Sequence, residues 1–214
     1  MSQRLVRRSV LGMALGLGLG LGAVAGMASP ALAQTAAAKA SKLDARAVAQ
    51  GYSQLVYANY SDSLASARDM QTAIAAFLAA PSKQSLEAAR KSWLDAREFY
   101  GQTEAFRFYG GPVDNDNGPE GRINAWPMDE SFVDSVDGKP NSGLVNNRKF
   151  VINKKNLSAQ NERGGEENIA TGWHAIEFFL WGQDLSETGP GNRNFEDFVD
   201  GKAPNADRRR QYLN

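Results

Sequence analysis

The segment from Ile169 to Trp181 constrains the fold of this chain most strongly, because it is apolar on nearly every side of a helix. One side carries Ile169, Trp173, Ile176, Phe179 and Leu180, and the other carries Ala170, Phe178 and Trp181 beside His174 and Glu177. Such a helix has to be covered by other elements. The chain has no cysteine, so the cover must be held by packing and not by disulfides.

Two long helices are predicted before this segment. Apolar residues recur at three- and four-residue steps over residues 43–80, which predicts a long amphipathic helix. Pro81 breaks the pattern, and Ser82 or Ser85 can cap a second helix that extends to about Phe108. A connection this short makes the two helices antiparallel. We therefore expect an all-α helical bundle.

A long loop region is predicted over residues 111–165, which are rich in Gly, Asn, Asp and Pro. Asp129 and Glu130 lie there among aromatic and aliphatic residues, a pattern that indicates a short helical turn with acids near a cavity. Glu166 and Glu167 follow this region. Because acids suit the positive end of a helix, we expect them to open the apolar helix.

His174 is the only histidine in the chain and lies one helical turn before Glu177. One interpretation is a structural pair, in which Glu177 accepts from the ring and a backbone carbonyl satisfies the second nitrogen. The other is a metal site formed by the imidazole and the carboxylate. With one histidine and no thiolate, the remaining ligands must be carboxylates, water or groups from outside this chain. That set favours harder ions such as iron, manganese or calcium, although zinc with an open water position also fits.

A second group of candidates shares one face of the second helix: Trp93, Arg97, Tyr100, Glu104 and Arg107. One interpretation is an ion-pair ladder, in which Arg97 and Arg107 pair with Glu104. The other is the polar wall of a pocket, in which Glu104, or Glu98 one face away, supplies a carboxylate to the site that holds His174.

The first 33 residues have the zones of a bacterial export signal: three arginines, an apolar Gly/Leu/Ala run, and small residues before a cleavage point. A membrane anchor is the rival interpretation, but the glycine-rich run and the cleavage site favour removal of residues 1–33. Residues 34–42 are expected to be a disordered lead-in. Removal of the three arginines leaves 21 basic and 24 acidic residues, which argues against a nucleic-acid-binding protein.

Four segments together resemble the imelysin family: residues 97–108 (REFYGQTEAFRF), 121–127 (GRINAWP), 172–184 (GWHAIEFFLWGQD) and 189–193 (GPGNR). The third contains a Gly-x-His-x-x-Glu motif, GxHxxE. The resemblance extends from about Val48 to the end of the chain. It implies an all-α protein of the bacterial periplasm or outer cell envelope, built from two related helical bundles with a site between them.

The resemblance implies two rival activities at that site. The first is a metallopeptidase that acts on a peptide substrate, and the second is a non-catalytic periplasmic protein for iron binding or uptake. The residues that carry over are His174 and Glu177 as ligands of a zinc or iron ion, together with Glu104, Arg107 and Asp129, the last two in the pocket. A peptidase would also need a general base, for which Glu104 or Glu98 is available. A structural helical module without metal is a third class.

Members of the family are about twice as long as this chain. We therefore expect residues 43–214 to form the N-terminal, truncated half of the two-bundle architecture. The missing cover would leave an apolar patch beside His174, to be buried by a C-terminal half or by self-association.

The leader generates a testable prediction. If residues 1–33 are a cleaved signal, mature protein begins at or near Gln34 and is found in the periplasm. Intact-mass measurement on exported protein checks this. Retention of the full leader in a membrane fraction would show an anchor.

Overall fold

The computed structural model describes residues 44–214, so the expected signal peptide and lead-in lie outside the described residues. The α-helices of this part are α1 (Ala45–Ala79), α2 (Lys83–Thr103), α3 (Glu120–Ile123), α4 (Glu130–Val133), α5 (Gly143–Asn146), α6 (Lys154–Gln160), α7 (Trp173–Trp181) and α8 (Ala206–Leu213). Two 3-10 turns are Glu104–Phe106 and Phe195–Phe198. The described residues contain no β-strand, so the expected all-α fold is confirmed. None of their helices is long and apolar enough to cross a membrane.

The two long helices α1 and α2 form the predicted hairpin. Ser82 and Ser85 cap α2 reciprocally, because each hydroxyl accepts a hydrogen bond from the backbone N–H of the other, at 3.0 and 3.1 Å. Tyr52 near the start of α1 packs against Phe106 beyond the end of α2, with ring centroids 5.8 Å apart. The helices therefore run antiparallel.

Helix α2 ends at Thr103, earlier than the expected end near Phe108. The chain continues in a 3-10 turn, and Phe108 then takes a φ of 69°, a left-handed conformation through which an α-helix does not continue. The carboxylate of Asp114 accepts hydrogen bonds from the backbone N–H groups of Phe108 and Gly111, and so fixes the turn.

Helix α7 lies in the core, as its apolar sequence requires. Trp173 packs edge-on against Trp93 of α2, with ring centroids 5.9 Å apart, and Phe179 packs on Tyr212 of α8 at 4.7 Å. The Tyr212 hydroxyl donates to the carbonyl of Ala170 at 2.8 Å. The short C-terminal helix thus supplies part of the cover.

The expectation that Glu166 and Glu167 open α7 is wrong, because the helix begins at Trp173. Gly172 has a φ of 89°, and a Cβ there would lie 2.3 Å from the carbonyl oxygen of Ile123. Only glycine permits this close approach of two backbones. The turn at Gly172 separates the two acids from the helix.

Apolar surface remains open on the side of α7 opposite His174. A cavity of about 400 Å³ with almost wholly apolar walls lies between Ile176, Tyr100 and the α1 residues Leu64 and Met70. The first turns of α1 also expose apolar side chains, among them Val48, Tyr52 and Leu55. This cavity lies on the side of α7 opposite His174, whereas the sequence predicts an apolar patch beside His174.

A buried carboxylate joins the loop region to the C-terminal helix. Asp134, fully buried, accepts hydrogen bonds from Arg209 Nε at 2.6 Å and Nη2 at 3.2 Å. Arg193 lies 3.4 Å from the same carboxylate, and its remaining ion-pair partner is Asp197 at 3.3 Å. This one side chain therefore contacts two buried guanidinium groups, and Asp197 supplies the second negative charge.

This network predicts the effect of a mutation on stability. Asp134→Asn leaves Arg209 buried without its counter-charge, so the free energy of unfolding should fall by about 3–5 kcal/mol. Urea denaturation of the purified protein measures it. The matched control is Asp200→Asn, which removes the partner of Arg210 in an exposed ion pair and should cost less than about 1 kcal/mol. Equal losses in the two variants would contradict the structural role of Asp134.

Candidate functional site

His174 faces a cavity of about 330 Å³ between α2, α7 and two loops. Three tryptophans, three carboxylates and the imidazole give the cavity its chemistry: Trp93, Trp126, Trp181, Glu130, Glu177, Asp184 and His174. Phe178 and Gly182 form further parts of the wall. Gly182 ends α7 with a φ of 74°, as its position after the apolar segment predicts, and turns the chain so that the following loop closes one side.

His174 and Glu177 are joined by a hydrogen bond of 3.0 Å between Nδ1 and Oε2. The helical spacing predicted this contact. The imidazole is 17% exposed and the carboxylate 43% exposed, so the pair is only partly buried. Within the described residues nothing hydrogen-bonds to Nε2, so the backbone partner of the structural-pair interpretation is not found there.

Glu130 and Asp184 bring two more carboxylates to the same cavity. Burial raises the pKa of the Glu130 carboxyl; the charge of Arg193 lowers that pKa, while Asp184 and Glu177 raise it further. The net direction is upward, which shows that Glu130 lies in a partly desolvated and acidic environment. Asp184 lies on an exposed loop and accepts from the backbone N–H of Ser186 at 2.9 Å.

Asp129, a predicted pocket residue, is the N-cap of α4. Its carboxylate caps α4 and accepts hydrogen bonds from the backbone N–H and the hydroxyl of Ser131, at 2.9 and 2.7 Å. The neighbouring Glu130 lines the cavity in its place. The sequence places both acids near a cavity, but only the turn at Asp129 decides which one faces it.

Glu104 and Arg107, the other predicted residues on α2 and its end, belong to a separate cluster. Glu104 Oε1 lies 3.8 Å from Arg97 Nη1 and 3.9 Å from Arg107 Nη1, as in the ladder interpretation. Arg107 has a closer partner in Glu120, at 2.9 Å. None of these side chains lines the His174 cavity, and Glu98 is exposed elsewhere on α2.

The donor set fits a metal ion in part. An imidazole and three carboxylates line one cavity, which is the mixed nitrogen and oxygen set that iron or manganese accepts. Within residues 44–214, however, no three His, Cys, Asp or Glu side chains are already close enough together to hold an ion. Binding of an ion would therefore need side-chain movement, which the exposure of Glu177 and Asp184 permits.

Two comparisons with known proteins bear on this site. The sequence model of a peptidase family described as Imelysin matches residues 56–214. A relative named Iron-regulated protein A, from Synechococcus elongatus, is 34% identical over 101 residues. That match covers 47% of this chain and 28% of the relative, so it spans less than a third of the relative's length.

The raised pKa of Glu130 predicts a pH-dependent stability difference. Because the folded pKa lies above the usual value of 4.5, ionisation of Glu130 disfavours the folded state as the pH rises above that value. Glu130→Gln removes the ionisation, so the variant should be more stable than the parent at neutral pH and equally stable well below the usual carboxyl pKa. Chemical denaturation of both proteins at the two pH values measures it. A pH-independent difference would contradict the assignment.

Proposed function

The chain belongs to the imelysin family, and from this premise we propose that it is a metal-binding protein of the cell envelope that binds iron in the His174 cavity. The observation that carries the proposal is the contact between Glu177 and His174 Nδ1. In metal sites the histidine ligand commonly donates its second ring N–H to a carboxylate, which fixes the tautomer and the ring orientation. Glu177 can do this for His174 and leave Nε2 for the ion.

The neighbouring carboxylates supply the remaining donors. Glu130 and Asp184 line the cavity, and Glu177 can also turn from the ring to the ion because its side chain is 43% exposed. A single nitrogen with several oxygens favours iron or manganese over a histidine-rich zinc site. The name of the relative, Iron-regulated protein A, supports the choice of iron among these ions.

Export to the periplasm or outer envelope is part of the proposal and is supported by the zones of the leader in residues 1–33. The mature chain has an acidic balance, which suits a cation as ligand and disfavours nucleic acid. We further propose that the apolar surface near Ile176 is covered by self-association or by a C-terminal half of the same architecture, because an open apolar cavity of this kind favours association.

A metallopeptidase is the second candidate function, and it is favoured by the peptidase family whose model the chain matches. A bound ion would supply polarisation of a peptide carbonyl. The chain would also have to supply a general base within hydrogen-bond reach. Glu104 and Glu98 do not line the cavity, whereas Glu130 does and has the raised pKa that suits such a group. Glu130 is thus the better candidate for the base.

Metal titration of single variants tests the proposed function. Calorimetry with iron, zinc and manganese should show binding by the parent protein, with iron among the tightest. His174→Ala and Glu177→Gln should each lose at least about tenfold in affinity, because the first removes a ligand and the second releases its ring. Glu98→Gln is the matched control and should bind as the parent does, since Glu98 lies on exposed α2 surface.

Equal affinities in all four proteins would return His174 and Glu177 to a structural pair. A further variant, Glu130→Gln, separates binding from catalysis when an unstructured peptide such as an insulin chain is offered. Chelator-sensitive cleavage that is lost in Glu130→Gln while metal affinity persists would establish the peptidase. No cleavage at any metal loading would leave metal binding as the function.

A further inference from the structure

The His174 cavity has aromatic walls as well as acidic groups. Trp93, Trp126 and Trp181 line it together with Glu130, Glu177 and Asp184, and no lysine or arginine is among its lining residues in the described part of the chain. Carboxylates can ligate a metal ion, but indole rings do not, so a metal site does not account for the three tryptophans. The combination of aromatic faces with carboxylates is the chemistry that recognises an organic cation.

Trp126 is the strongest sign that the rings face a ligand. It is 70% exposed, although tryptophan is among the most buried residues on average. Its ring lies against the imidazole of His174, with centroids 4.7 Å apart, at the edge of the cavity. An indole that lines the cavity and is this exposed is accessible to a ligand.

The other two rings are fixed in place by the fold. The indole N–H of Trp93 donates to the carbonyl of Trp173 at 3.1 Å, and Trp181 packs edge-on against Trp93 at 5.3 Å. The guanidinium of Arg90 lies over Trp181, 5.8 Å from the ring centroid. Trp181 therefore already interacts with a guanidinium of the protein. Trp126 is the most exposed of the three rings and is the one available to a ligand.

We propose that this cavity binds a guanidinium group, namely the arginine side chain of a peptide. The planar guanidinium can stack on Trp126 and pair with carboxylates, whereas an ammonium is more strongly hydrated and stacks less well. A cavity of about 330 Å³ is large enough for one such side chain. The proposal rests on the proposed function for the choice of this cavity and goes beyond it by adding a second class of ligand for the same site.

Two nearby positive charges oppose binding of a cation, and both are already paired. Arg90, which lies over Trp181, pairs with Glu87 at 2.6 Å. Arg193 lies behind the cavity wall, with its guanidinium 5.1 Å from the ring centroid of Phe178. Its charge is paired with Asp134 and Asp197. The three carboxylates of the cavity itself have no arginine or lysine as an ion-pair partner within the described residues. The net charge that faces the cavity is therefore negative.

The test compares two ligands that differ in charge and hardly in shape. Nα-acetyl-arginine amide and Nα-acetyl-citrulline amide are titrated into the full exported chain in the presence of a chelator. We expect the arginine ligand to bind at least about tenfold more tightly, since citrulline lacks the positive charge. Trp126→Ala should weaken arginine binding about fivefold, and Glu130→Gln should weaken it as well.

Phe108→Ala is the matched control, because Phe108 is an exposed aromatic residue outside the cavity, and it should bind arginine as the parent does. Melting curves confirm that the variants fold. Equal affinity for the arginine and citrulline ligands, or full affinity in Trp126→Ala, would overturn the proposal. The metal titration and this chelated ligand titration are separate experiments: failure of the first overturns only the metal site, and failure of the second overturns only this inference.

Discussion

The cover of α7 is the constraint on which the rest of the described structure depends. Two long helices can bury only part of an all-apolar helix, so short elements must bury the remainder. The C-terminal α8 does this with Tyr212, and it is held in place by the ion pair between Arg209 and Asp134. Burial of a charge pair costs desolvation free energy, so its net contribution to stability is small. The pair specifies the position of α8, because only one register brings Arg209 to Asp134.

The face of α7 that carries His174 lines a cavity and is not covered by another of the described helices. Trp93 from α2 and Trp126 from a loop approach this face without closing it. His174 and Glu177 thus lie at the only polar interruption of an apolar helix, beside two carboxylates from loops. The separate cluster around Glu104 joins α2 to the loop region through Arg107 and Glu120, and stabilises the wall without entering the cavity.

Sequence periodicity was sufficient for the features that depend on neighbours along one helix. The turn of the hairpin, the serine cap of α2 and the contact of His174 with Glu177 each depend on residues only a few positions apart in the sequence. The start of α7 is not predictable from local sequence. The backbone turn at Gly172 depends on close contact with the backbone of Ile123, which is far away in the sequence. Glu130 reaches the cavity from the single-turn helix α4 and Asp184 from a loop, and neither segment is long enough or regular enough for periodicity to indicate direction. For the same reason the sequence alone could not separate Asp129, which caps α4, from Glu130.

A metal ion and a guanidinium in one cavity must interact through the carboxylates that they share. Glu130, Glu177 and Asp184 can contribute three negative charges at most, and a divalent or trivalent ion neutralises most of that charge. The attraction for arginine would then rest on the ring of Trp126 alone. By linkage, an arginine ligand that weakens metal binding is weakened by the metal to the same extent. Under the two proposals the cavity releases one cation when the other arrives, and protonation of Glu130, whose pKa is raised, reduces the affinity for both.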